Sequence, residues 1–147
     1  MKHAIAVLAI LVVVPLGATE NEKWETVSAC RDRLKDDVRC FATHARAGMA
    51  LCGMQWKLGL MKGDLAPAAA CQSSAQDAMR PFYQAALKRV SKTREGTAAL
   101  KDAYAYWVSV IRGLTPAVSE REIDYRRRIT EYEQGLEQRL TRLEIEK

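Results

Sequence analysis

Four cysteines and a histidine are the residues of this chain best equipped for chemistry, and three of the cysteines fall in one run, "CRDRLKDDVRCFATHARAGMALC", residues 30–52. Cys40 and His44 stand four residues apart, so on a helix they share a face, a spacing that can place two ligands on zinc or copper. Met49, Met54 and Met61 follow as soft donors. Cys40 and His44 are therefore the candidate metal residues, and a periplasmic metal or redox binder is one reading of the chain. A structural reading competes with it. Cys30, Cys40, Cys52 and Cys71 make an even count, which in an exported protein most simply forms two disulfides. An oxidised Cys40 cannot ligate as a thiolate, and methionines at helical spacing fill gaps in cores. No Cys-x-x-Cys is present for a thioredoxin-type pair or haem attachment. The sequence predicts no cofactor and no resident metal.

Geometry restricts how the cysteines pair. Residues ten apart on one straight helix are separated by about 15 Å along its axis, whereas a disulfide needs Cα atoms within about 7 Å. Two bonds within the chain therefore require a turn somewhere in residues 30–52. The sequence favours "THARAG", residues 43–48, where Gly48 offers a break and the apolar pattern changes. A turn near Arg46 sets Cys40 opposite Cys52, predicting Cys40–Cys52 and leaving Cys30–Cys71.

Catalysis finds little support in the residue types. Gly-x-Ser-x-Gly is absent, as is any glycine-rich loop able to cradle phosphate. Asp36, Asp37 and Asp64 lie in charged or helix-capping contexts, so the chain is read as non-enzymatic.

The elements that must position these residues are read as helices nearly throughout, since glycine and proline are scarce beyond residue 18 and no stretch alternates with a period of two. Residues 1–18 are expected to be a signal peptide: Met1-Lys2-His3, the apolar run "AIAVLAILVVV", then Pro15, Gly17 and Ala18. The run is shorter than the about 20 residues needed to span a bilayer. The product is thus expected in the periplasm or secreted, with no stable membrane insertion. The formal net charge is +5, with acids and bases interleaved in stretches such as "KDDVR" and "SEREIDYRRR", the pattern of solvated helix faces. No nucleic-acid partner is predicted.

The fold class predicted is all-α: a single domain over residues 19–147, a disulfide-stapled bundle of four to five helices at roughly 24–43, 47–62, 65–95 with a kink at Pro81, 97–113 and 116–146. The second, "AGMALCGMQWKLGLM", is apolar all round, the pattern of a helix sandwiched between others. Gly96 is read as ending the third and Thr97 as capping the fourth. Thr115-Pro116 is read as opening the fifth, with Ser119 and Glu122 as a capping box.

That last helix carries Val118, Tyr125, Ile129, Tyr132, Leu136, Leu140 and Leu143 at helical steps almost to the C-terminus. At about 30 residues and about 45 Å it is longer than a compact bundle requires. Its stripe is therefore the predicted association element, binding a protein partner or a second copy. Tyr106, off the core face of the fourth helix, joins it as a contact candidate, as does the dense basic cluster Arg126, Arg127 and Arg128.

The order of Cys71, "FYQAAL" and "LKDAYAYWVSVIR" resembles the exported helical lysozyme-inhibitor-like domains, in which a cysteine, a tyrosine-leucine helix and a "W…R" helix follow in that sequence. It spans residues 71–112 only, and the later cysteine expected in such domains is absent after Ile111. The resemblance implies an alternative function, inhibition of a lysozyme in the periplasm, and carries over no site residue. The principal expectation is an exported non-enzymatic protein that binds another macromolecule in the cell envelope.

Overall fold

The computed structural model describes residues 24–117 and 119–147. The predicted signal segment and Val118 lie outside the described residues. Five helices follow in order: α1 (Val27–Leu34), α2 (Asp37–Lys62), α3 (Ala66–Val90), α4 (Arg94–Gly113) and α5 (Glu122–Glu146). Among the described residues there is no strand, so the fold is an all-α bundle stapled by two disulfides.

The disulfides are Cys30–Cys40 (Cα–Cα 5.8 Å) and Cys52–Cys71 (5.5 Å), which corrects the predicted Cys40–Cys52 and Cys30–Cys71. Residues 30–52 are indeed broken, but at Lys35-Asp36 rather than at 43–48. Lys35 takes a left-handed φ of 57°, and its N–H donates to Arg31 O at 2.8 Å to close α1. Asp36 then caps α2 by accepting from the amides of Val38 (2.9 Å) and Arg39 (3.2 Å). A break at Lys35 lies midway between Cys30 and Cys40 and folds one onto the other. Gly48, on which the expected turn rested, serves a different purpose. The Trp107 ring lies so close that an added Cβ would stand 3.2 Å from it, and α2 runs straight through.

α2 touches all four other helices. Its N-terminal half joins the core, where Trp107 is fully buried and its indole N–H donates to Ala45 O at 3.0 Å. Arg46 forms a two-pronged ion pair with Glu137 of α5 (2.7 and 2.8 Å), and the hydrogen bonds from its guanidinium hold that carboxyl below its usual pKa. Lys147 pairs with Asp36. Partial burial alone would raise the Asp36 pKa, but the Lys147 ammonium and the capping amides outweigh it and the carboxyl is held low.

Pro81, exposed, lies within α3, which runs as one helix from Ala66 to Val90. Two other boundaries differ from the sequence reading. Gly96 does not end α3 but sits in the first turn of α4, capped by Thr93, which accepts from the Gly96 amide at 3.2 Å. A Cβ at Gly96 would come within 2.7 Å of Glu146 O, so the glycine admits the end of α5. α5 starts at Glu122 and not at Pro116, because the Glu120 carboxylate is held by the Ala117 amide (3.1 Å) and by Arg128 (2.6 Å) in a loop that precedes the helix.

Candidate functional site

α5 is 25 residues long, about 37 Å, and it does not overhang as a free arm. Its stripe is packed inside the molecule: Tyr125, Leu136, Leu140 and Leu143 are buried, and Ile129 and Tyr132 are partly buried against the same core. Tyr125 donates from its hydroxyl to Leu114 O at 3.0 Å, and burial pushes its pKa up. Tyr106 is likewise engaged within the fold. Its ring lies 3.9 Å beneath the Arg139 guanidinium, and its hydroxyl reaches Glu131 O. The basic cluster divides by face. Arg126 and Arg127 are exposed beside Glu122 and Asp124, whereas Arg128 turns inward, pairs with Glu120, donates to Gly113 O and covers the rings of Tyr125 and Tyr132. Arg128, Tyr125 and Tyr132 thereby fasten the start of α5 to the end of α4, and the apolar stripe expected to bind a partner is largely occupied within the fold.

The Cys40/His44 pair is not assembled as a metal site. Cys40 is bonded to Cys30, and His44 is 5% exposed between Phe82 (ring centroids 4.3 Å, stacked) and Trp24 (5.0 Å). Burial holds the imidazole neutral and pushes its pKa down to about 4, against a smaller opposing pull from Glu25. Among the described residues no group of three or more His, Cys, Asp or Glu side chains is arranged to hold a metal.

The feature that sequence reasoning missed lies at the other end of α2. The hydrogen bonds, ion pairs and close approach that join α2 and its cap to α4 and α5, at Asp36, Ala45, Arg46 and Gly48, lie at its N-terminal half. Gln72 of α3 donates to Ile111 O at 2.6 Å, holding that helix against the C-terminal end of α4. Between those points the Cys52–Cys71 bond ties α2 to α3, and beyond it the two helices continue as a hairpin that turns at residues 63–65. Gly63 closes α2 with φ 71°, the left-handed cap that favours glycine, and Asp64 accepts from the Ala66 amide (3.0 Å) to start α3.

The inner side of this hairpin is well packed. Trp56 and Ala68 are buried, and Gly59 lets the turn close down, since a Cβ there would stand 2.6 Å from Asp64 O. Large apolar side chains remain exposed around it: Met54, Leu58 and Met61 on the side of α2 away from Trp56, Met61 to 83%, and Leu60 and Leu65 close to the turn. Five large apolar side chains are thus left exposed toward one end of the bundle, which makes this end the candidate contact surface. The signal was present in the sequence as a helix apolar all round. Burial by neighbouring helices was expected there, and only one side of the helix received it.

Two disulfides fit an oxidising compartment, and among the described residues no helix is long and apolar enough to cross a membrane. Set against known protein families, curated proteins and solved structures, the chain finds no match.

Proposed function

We propose that the chain is an exported, non-enzymatic protein of the periplasm or secreted medium that acts by binding another macromolecule in the cell envelope, and that the end of the α2–α3 hairpin makes the contact. One observation carries this reading: among the described residues, five of the seven large apolar side chains left exposed lie on that hairpin, the other two being Ile123 and Ile145 near the opposite ends of α5, while the α5 stripe is largely occupied internally. The Cys52–Cys71 bond supports it by holding the two helices in register at the base of the exposed end, which lowers the entropy lost when a partner docks. His44, enclosed by two aromatic rings, is sequestered from any substrate, in keeping with binding rather than catalysis.

The test is photo-crosslinking in cells that export the protein, with a photoreactive residue placed at Leu58 or Met61 and, as control, at the exposed Ile145 of α5. The expected result is a discrete adduct from positions 58 and 61 that disappears when Met54→Glu is added, with none from 145. Adducts of equal yield at all three positions, or none at 58 and 61, would overturn the proposal.

A further inference from the structure

The exposed side of α2 has a spacing more specific than apolarity. Leu51, Met54, Leu58 and Met61 advance in steps of three, four and three, the a/d repeat of a coiled-coil seam. At about 3.6 residues per turn this seam lies on the side of α2 away from Cys52, Trp56 and Gly59, so the bundle itself cannot cover it. Lys57 and Lys62 fall at the positions that border such a seam on its two sides, and both are exposed. Three cations elsewhere pair with acids across elements, Arg46 with Glu137, Arg139 with Asp102 and Lys147 with Asp36, while among the described residues other surface lysines such as Lys88, Lys92 and Lys101 make no ion pair. Among the described residues no acid pairs with Lys57 or Lys62.

We infer that this seam receives an amphipathic helix of another protein, one whose apolar stripe is bordered by glutamate or aspartate. The inference rests on the reading of the hairpin as the contact surface and adds the chemistry of what docks there. A seam of alternating three and four steps takes the knobs of a facing helix, and charges at the bordering positions select its sequence. The lysines disfavour a second copy of the chain as occupant. Parallel pairing would set Lys57 against Lys62 of the other copy, and antiparallel pairing would set Lys57 against its own counterpart. The seam spans about 15 Å along α2, enough for three helical turns of partner, so recognition is local and the bordering charges weigh heavily in selectivity.

The test uses the full oxidised protein and two labelled peptides of about 20 residues, long enough to hold helix. Both carry leucine at the seam positions; one carries glutamate at the bordering positions and its twin carries lysine. Fluorescence anisotropy should give a Kd at least tenfold lower for the glutamate peptide at low salt, and the gap should narrow as salt is raised. Met54→Glu with Leu58→Glu should abolish binding; both side chains are exposed, so an unchanged helical circular dichroism spectrum will show the fold intact. Lys57→Glu with Lys62→Glu should reverse the preference between the peptides. Equal affinity for the twins, or no reversal, overturns the inference. So does preferential, seam-dependent binding to phosphatidylglycerol vesicles, or a seam-dependent dimer in sedimentation. If crosslinks form at Leu58 and Met61 while the peptide preference is absent, the hairpin remains the contact surface and only the acidic helix is refuted.

Discussion

His44 gives the fold a calculable dependence on pH. In the folded chain its imidazole is neutral down to about pH 4, whereas in the unfolded chain it takes up a proton near 6.5. Between those values the unfolded state holds one proton more than the folded state. Stability therefore rises with pH across that window, by about 1.4 kcal/mol per pH unit where the difference is complete. Integrated from pH 6.5 down to 4, the loss is about 3 kcal/mol, a large fraction of the about 5–15 kcal/mol that holds a domain of this size together. The physical origin is burial: protonation would place a cation at a site almost closed to water, with Nε2 lacking a hydrogen-bond partner to stabilise the charge. Urea unfolding at a series of pH values reads the slope directly. Carboxylates such as Asp36 and Glu137, held low in the folded state, add a loss of the same sign toward acid pH. The comparison with His44→Phe, which keeps a planar ring between Trp24 and Phe82, removes that common part. The difference in unfolding free energy between the two proteins should fall by about 3 kcal/mol from pH 6.5 to 4. An NMR titration that finds the folded imidazole protonating near 6.5, or parallel pH profiles for the two proteins, would refute the reasoning.

The two disulfides enclose different lengths of chain, with sequence separations of 19 and 10. From loop entropy, Cys52→Ala with Cys71→Ala should cost about 3.2 kcal/mol and Cys30→Ala with Cys40→Ala about 2.7 kcal/mol, measurable as shifts in the denaturant midpoint; a loss under about 1 kcal/mol for the first pair would contradict this ranking. Two glycines of α2 should respond oppositely to the same change. Gly53→Ala should stabilise by up to about 1 kcal/mol, because a Cβ there meets nothing within 4 Å, and Gly59→Ala should destabilise by about 1–3 kcal/mol, because its Cβ would press on the Asp64 carbonyl. Thermal unfolding of the two variants checks both signs.

The legible parts of this protein were those where one physical rule acts alone. The spacing of Leu100, Ala103, Trp107 and Ile111 identifies the buried side of α4, and the α5 stripe likewise identifies which side chains meet a core. What the stripe could not reveal was whose core it meets; that depends on α4 lying alongside, which Arg128 and Arg139 secure through contacts with Gly113 O and Asp102 of α4. Glycine misled for a related reason. Gly48 and Gly96 were read as helix breaks, but each is required by a neighbour arriving from far along the chain, Trp107 in one case and the end of α5 in the other. The non-glycine residue Lys35 makes the actual left-handed turn between Cys30 and Cys40, and a lysine carries no local signal for it. The seam on α2 was visible as apolar residues, but an all-round pattern does not tell which side the bundle will cover.

The connectivity of the cysteines has a kinetic consequence. Each bond joins neighbours in sequence, first Cys30 with Cys40 and then Cys52 with Cys71. A chain threading N-terminus first into an oxidising compartment would present the cysteines in that same order, so an oxidase that joins them as they emerge makes the native pairs directly. Reshuffling of wrong disulfides, which takes seconds to hours, is then unnecessary, and maturation should proceed at the speed of delivery without a disulfide isomerase.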